Sequence, residues 1–452
     1  MLSWDAHRIA QASGAALLSP GEAGPGPSRV VVDSRQAGPG VLFVGLPGAN
    51  THGGMHAADA LAAGAWGALT TPEHAYEAAR IQPNAGILAS SEPLAALQQL
   101  ATAWRRHMGV KVIGVTGSTG KTSTKDLLLA LLSPHRRTIA SRANFNTEIG
   151  LPLEILAAPE DTELLVLEMA MRGTGQIAEL ARIAEPDIGV IVSVGPVHLE
   201  LLGSLEAIAA AKAELIAALP EHGTAIVPVG EPLLDSHLRP ELHTVTFGPG
   251  GQVRFAAEED GRVRIDCEGK IIELEIDLPQ AHLRRNLLAA VAAAVAAGVH
   301  PGGCLDFTVS AGRGRRIVRP DGVTVIDDAY NANPMSMRAA LDDLAATAAR
   351  SPGGRRLAVL GDMLELGPGA AGFHVEIGEY ANHAVDLLVT VGPLAAAMAD
   401  GYSGEHIHAD DAAEATGLLL SLLAPGDVVL VKGSRGVALE QVCEALTNCP
   451  VS

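Results

Sequence analysis

An α/β fold in three domains is what the sequence predicts: a small N-terminal α/β domain, a central P-loop-type domain on a mostly parallel sheet, and a C-terminal Rossmann-like domain. Three observations carry this. At 452 residues the chain exceeds one ordinary hydrophobic core, so two or three domains are expected. A glycine loop stands between the apolar run Val112 to Val115 and the helix-like stretch Leu127 to Leu132. After Gly312-Arg313-Gly314, which reads as a hinge, a second alternation of apolar runs and helical stretches begins. The expected boundaries are 1–83, 84–313 and 314–452.

Composition narrows the function classes. Hydrophobic residues make up 48% and charged ones 18%, which suits packed domains rather than disorder. Aromatics are only 3%, so the cores must be built from Ala, Leu, Val and Ile. A net charge of −19 without a basic stripe argues against nucleic acid as a partner. An anionic substrate must then be held by locally placed Lys, Arg and helix N-termini. Cys267, Cys304, Cys443 and Cys449 are scattered and give neither a disulfide framework nor a zinc site, which fits a reduced, cytoplasmic setting. Met1 to Gly14 does not read as a signal peptide, and no apolar run reaches membrane-span length.

In chain order, Arg29 to Asp33 and Val41 to Val44 read as strands, His56 to Gly64 as a helix and Ala65 to Thr70 as a strand. Asp33-Ser34-Arg35 at a strand end suits an anionic or uracil-like group, and equally a plain turn with a surface ion pair. From about Asn84 a new α/β segment leads into Gly114-Val115-Thr116-Gly117-Ser118-Thr119-Gly120-Lys121-Thr122-Ser123. Strand, glycine loop and helix N-terminus in this order form a cradle for a triphosphate. Backbone N–H groups face the phosphate oxygens, Lys121 adds charge, and the Thr122 hydroxyl can ligate Mg²⁺. The strict pattern wants glycine where Val115 stands; Gly114 is one place early. The order of parts still marks a nucleotide site.

The polar loop Ala143 to Pro152 follows, suited either to function or to capping a helix. The apolar strand Leu164 to Leu167 ends in Glu168, and Ile188 to Val194 leads to His198. Ligands of open parallel sheets gather outside the carboxyl ends of strands, so both side chains fall near the expected phosphates. Together they suit a second Mg²⁺. Leu205 to Leu219 reads as a helix bearing Lys212 among alanines, where a lone lysine is usually solvated. Gly223 to Leu278 is strand-rich, and Leu283 to Ala297 is a buried helix entered through His282, Arg285 and Asn286. That polar entry either faces a base or is a solvated first turn.

In the last third, the strand Val323 to Ile326 leads to Asp327-Asp328-Ala329-Tyr330-Asn331-Ala332-Asn333-Pro334. Ser336 to Arg350 is helical, Leu357 to Leu360 a strand before Gly361-Asp362-Met363, and Phe373 to His383 helical. Leu387 to Val391 and Val428 to Val431 are strands, the last entering Lys432-Gly433-Ser434-Arg435-Gly436. No Gly-x-Gly-x-x-Gly follows a strand here, which disfavours a dinucleotide cofactor.

Taken in this order, the phosphate loop, Asn144 to Pro152, Gly195-Pro196-Val197-His198-Leu199-Glu200, Asp327 to Pro334 and Gly361-Asp362-Met363-Leu364-Glu365-Leu366-Gly367 resemble the Mur ligases. The likeness runs from Asp33-Ser34-Arg35 to Lys432-Gly433-Ser434-Arg435 and covers nearly the whole chain. It is to the branch that joins D-alanyl-D-alanine to UDP-N-acetylmuramoyl-tripeptide in peptidoglycan synthesis. The chain departs from the family at His52-Gly53-Gly54-Met55-His56, where an Asp-Gly-His-x-Phe-like segment is common, and around Glu168-Met169-Ala170, where the glutamate is kept.

The resemblance implies an ATP-dependent ligase working through an acyl phosphate, with ATP and two Mg²⁺. Gly117, Ser118, Thr119, Gly120, Lys121, Thr122 and Ser123 would bind the phosphates. Thr122 would ligate the first ion, and Glu168 and His198 the second. Lys212 matches the lysine that family members can carry as a carbamate. Asn286 would contact adenine, Arg313 the γ-phosphate and Asp328 the ribose. Ser34, Arg35, Asn144, Asn146, Thr147, Tyr330, Asn331 and Asn333 would line the substrate site. A monomer is the default expectation. The rivals are folylpolyglutamate synthase, which shares the ATPase core but lacks the N-terminal domain, and a non-catalytic nucleotide-binding scaffold.

Overall fold

Three sheets follow one another along the chain in the computed structural model, which describes residues 4–448 apart from 23, 50, 143, 260, 279, 351 and 352. Ala143, at the head of the polar loop, and Cys449 therefore lie outside the described residues. The first sheet has five strands in the order Ala16–Pro20, Gly86–Ala89, Gly67–Thr70, Val41–Val44, Arg29–Val31. Only its first pair is antiparallel. Gly86–Ala89 thus belongs to this sheet and not to the unit after residue 83. The reason is plain: a four-residue apolar run shows a strand but not its partner.

The second sheet has ten strands. Its parallel part runs Thr138–Ala140, Leu164–Glu168, Lys111–Thr116, Ile188–Ile191, Thr224–Pro228, His243–Phe247, Val253–Glu259. The meander Val253–Glu259, Arg262–Cys267, Lys270–Glu275 continues it antiparallel, so the strand-rich stretch is an extension of the central sheet. One face is covered by helices Lys121–Leu132 and Ala281–Ala296, whose Leu127, Leu131, Leu287 and Ala290 share a buried cluster. Alanine along the second helix suits it to close packing, with few rotamers to freeze.

The opposite face receives helix Leu205–Ala217, and two glycines govern how near it comes. A Cβ on Gly114 would lie 3.1 Å from Leu215 Cδ1, and one on Gly189 3.0 Å from Leu215 Cγ. Gly114, the glycine that seemed one place early for a phosphate loop, therefore leaves room for this helix. One turn before Leu215, Lys212 is carried into the interior with it and is 2% exposed. The solvated reading of this lysine is wrong because sequence shows the helix but not how close it packs.

The third sheet has six strands, Arg315–Val318, Thr324–Asp327, Val428–Lys432, Arg356–Gly361, Leu387–Val391 and Glu405–Ala409, antiparallel only at its first pair. Helices Pro334–Ala349 and Ala370–Ala381 cover one side; Ala412–Leu422 and Glu440–Asn448 cover the other. The edge strand Glu405–Ala409 is mostly exposed, and its Glu-His-Ile-His-Ala sequence carries no apolar run to announce it. Among the described residues no helix is long and apolar enough to cross a membrane.

Candidate active site

The central and third sheets turn their carboxyl ends toward one cavity of about 1260 Å³. The central sheet supplies the phosphate loop after Lys111–Thr116, Glu168 at the end of its strand, and the turn to His198. The third sheet supplies the segments after Thr324–Asp327, Arg356–Gly361 and Val428–Lys432.

The loop is tied down before any ligand arrives. Ser118 Oγ donates to the Gly195 carbonyl at 2.9 Å, and the Thr119 N–H donates to Ser193 Oγ at 2.9 Å. Gly120 has φ +81°, and a Cβ there would fall 2.6 Å from Asn286 Oδ1, so only glycine fits. Helix Lys121–Leu132 begins with no side-chain cap, leaving its first N–H groups for an anion. Lys121 Nζ donates to the Gly117 carbonyl at 2.7 Å. Burial pushes the Lys121 ammonium below the usual lysine range; Arg313 adds to this and Glu168 opposes it.

Glu168 is 2% exposed, and each of its carboxylate oxygens accepts one hydrogen bond. One oxygen accepts from Thr122 Oγ1 at 2.8 Å and the other from Asn146 Nδ2 at 2.9 Å. Its own N–H donates to Ser141 Oγ at 3.0 Å, fixing the strand end. His198 has φ +53° and its Nδ1 meets the Glu365 carboxylate of the third domain. Burial lowers the His198 pKa, Lys121 and Lys212 lower it further, and Glu365 opposes them. For Lys212 the pKa lies well below the ordinary lysine value, first through burial and then through Lys121. Among the described residues it has no carboxylate partner, so its amine can be held neutral.

Asn286 is 4% exposed, faces the cavity, and its Nδ2 lacks a hydrogen-bond partner, a buried donor waiting for an acceptor. His282 and Arg285 also line the cavity, so the helix entry faces the site. The Arg313 guanidinium lies 4.0 Å from the Tyr330 ring centroid, and Arg435 lies over the same ring at 5.4 Å. Asp328 pairs with the buried Lys432 at 2.7 Å, and Lys432 also donates to the Asn331 carbonyl at 2.9 Å. Asn333 lines the cavity but its side chain caps helix Pro334–Ala349, accepting from the Ser336 N–H at 3.0 Å. Asn144, Asn146 and Thr147 line the same cavity, on a loop pinned by Arg142 to the buried Glu154 at 2.9 Å.

Ser34 and Arg35 are not brought to this cavity. Asp33 caps a short 3₁₀ turn, Ser34–Gln36, and the Arg35 guanidinium holds it at 2.8 Å, keeping the Asp33 carboxyl down at about 2. Residues without an assigned role in the sequence also reach the site: Glu365, Lys432 and Arg172. Glu365 and Lys432 were signalled by lying at or beyond the carboxyl end of a strand and within segments that carry the family resemblance, but with no role attached.

Among the described residues no three His, Cys, Asp or Glu side chains form a ready-made metal cage. That suits Mg²⁺ beside a triphosphate, which takes one or two carboxylates and completes its shell from phosphate and water. The Thr122 hydroxyl and Glu168 carboxylate already converge, so the donor set fits such an ion.

Two family models match the chain: the Mur ligase middle domain over residues 115–294 and the Mur ligase, glutamate ligase domain over 312–435. The UDP-N-acetylmuramoyl-tripeptide–D-alanyl-D-alanine ligase of Bacillus subtilis (strain 168) is 36% identical over 440 residues, covering 94% of each chain. A crystal structure of MurF from Acinetobacter baumannii superposes with a TM-score of 0.85 at 27% identity, covering 98% of both chains. MurF ligase from Thermotoga maritima in complex with ADP gives a TM-score of 0.79 at 30% identity, covering 92% of this chain and 96% of that one. The two matched domains take up the central and third sheets, and the relative carries the likeness across the N-terminal one. The chain belongs to the Mur ligase family.

Proposed function

We propose that the chain is an ATP-dependent amide ligase that joins D-alanyl-D-alanine to UDP-N-acetylmuramoyl-tripeptide, giving UDP-N-acetylmuramoyl-pentapeptide, ADP and phosphate. The observation that carries this is one cavity walled by a phosphate loop on the central sheet and by the carboxyl ends of the third, in a chain matched over 94% of its length by a ligase of that name.

ATP sits with its phosphates on the loop amides and Lys121, and its adenine against Asn286. ADP in the Thermotoga maritima relative supports the nucleotide. Arg313 leans on the γ-phosphate from the hinge. Asp328, already held by Lys432, faces the ribose. The substrate carboxylate attacks the γ-phosphorus, the P–O bond to ADP breaks, and an acyl phosphate forms. The uncharged amine of D-alanyl-D-alanine then attacks the acyl carbon and phosphate departs from the tetrahedral intermediate. Lys121 and Arg313 spread the charge of the first step, and the third domain walls off water in the second.

Bound Mg²⁺ supplies further neutralisation of phosphate charge, and Thr122, Glu168, His198 and a carbamylated Lys212 are the residues that would hold two ions. A neutral Lys212 amine can attack CO₂ through its lone pair and lose a proton, which turns a buried neutral amine into an anion. Asn144, Asn146, Thr147, Tyr330, Asn331 and Asn333 line the path of the peptide. The N-terminal sheet, through Ala89 and including Ser34 and Arg35, holds the UDP end. A cytoplasmic monomer fits this role.

The test is ADP release from ATP with UDP-N-acetylmuramoyl-tripeptide, with and without D-alanyl-D-alanine, beside folate plus glutamate. Release that needs both peptidoglycan substrates supports the reading. Release only with folate and glutamate moves the chain to the folate branch; none with either pair leaves a scaffold.

A further inference from the structure

Among the described residues, Glu365 is the one carboxylate from the third domain that reaches a proposed ion ligand of the central domain. Its carboxylate meets His198 Nδ1, and its carbonyl accepts from the Glu200 N–H at 3.2 Å. Gly367 closes the same contact: a Cβ on it would fall 3.1 Å from Glu200 Cα. Both partners hold unusual backbone, His198 at φ +53° and Glu365 at φ +62°, a region that non-glycine residues enter at a cost. Two strained residues facing each other across a domain boundary indicate that the contact has a use. Arg172 Nε stands 3.7 Å from the other oxygen of the Glu365 carboxylate.

We infer that Glu365 is a positioning residue for His198, so that docking of the third domain aims the ring for its ion. This rests on the reading of His198 as an Mg²⁺ ligand. A carboxylate can only accept, so Nδ1 must carry the proton. The proton on Nδ1 leaves the Nε2 lone pair free, and the ring cannot rotate away while Glu365 holds it. Histidines that ligate metals characteristically give their other N–H to such an acceptor, and losing it costs about 10- to 100-fold in affinity. Here that acceptor comes from another domain. The ion site is therefore complete only when the third domain is docked, which is also when D-alanyl-D-alanine has its wall. Phosphoryl transfer is thereby coupled to closure, and an exposed acyl phosphate is avoided.

The test uses the full chain and has two readouts besides turnover. The first is the ring-nitrogen NMR spectrum of ¹⁵N-histidine-labelled protein, with the His198 signal assigned by H198Q. The second is Mn²⁺ affinity by electron paramagnetic resonance in the presence of a non-hydrolysable ATP analogue. The wild type should show the Nδ1–H tautomer at His198. In E365A that signature should disappear and Mn²⁺ affinity should fall about tenfold. E365Q, whose amide oxygen still accepts, should keep the tautomer and most of the affinity. A wild-type tautomer in E365A, or unchanged Mn²⁺ affinity in E365A while H198Q weakens it, overturns the positioning role alone. Unchanged affinity in H198Q as well overturns the ligand reading beneath it.

Discussion

Lys212→Met separates a residue kept for chemistry from one kept for folding. Methionine preserves the unbranched stem and volume of a side chain that is 2% exposed, so packing changes little. It removes an amine without a carboxylate partner among the described residues and within the field of Lys121. Burial disfavours the charged form of that amine, so K212M should melt above wild type in CO₂-free buffer at neutral pH, by about 2–4 °C for each kcal/mol of that penalty removed. The pH dependence has a definite sign. The unfolded lysine keeps its proton up to about 10.5, whereas the folded one sheds it at lower pH. Between those values the unfolded chain binds more protons, so wild-type stability rises with pH. K212M should lose that slope. Calorimetry across pH, with ligase turnover in parallel, is the assay, and turnover should fall on the order of 10²-fold or more. A variant less stable than wild type at neutral pH, or one that turns over normally, would refute the reasoning.

Three further outcomes follow from the site. Lys121→Ala should reduce ADP release on the order of 10²-fold or more with an unchanged circular dichroism spectrum, since the loop is tied by Ser118, Thr119 and Ser193 independently. Gly120→Ala forces a Cβ to 2.6 Å from Asn286 Oδ1 at φ +81°, and ADP affinity by calorimetry should drop tenfold or more, about 1.4 kcal/mol. Asp328→Ala leaves Lys432 buried without its counter-charge and should lower stability in urea by about 3–5 kcal/mol, with the double variant D328A/K432M recovering much of it.

What sequence could show follows from what is local. Val112 to Val115, the glycines and Lys121 lie within ten residues, so strand, loop and helix were legible together. The clustering of Glu168 and His198 with that loop was legible too, because carboxyl ends of parallel strands share one edge. Sheet membership of Gly86–Ala89 was not, since its partners Ala16–Pro20 and Gly67–Thr70 are distant and any sheet would accept it. Lys212 was misread for a related reason: its burial depends on Gly114 and Gly189 letting a helix approach, and each of those glycines looks like something else in isolation. Glu365 carries no local signal of its role, because its partner is 167 residues away in another domain.

The most direct measurement follows oxygen. UDP-N-acetylmuramoyl-tripeptide labelled with ¹⁸O in its reacting carboxylate is incubated with ATP and D-alanyl-D-alanine, and the phosphate is analysed by mass spectrometry. An acyl phosphate requires one carboxylate oxygen to leave with the phosphate, so each UDP-pentapeptide formed should yield one singly labelled phosphate. Unlabelled phosphate, or label only in the peptide, would contradict the account.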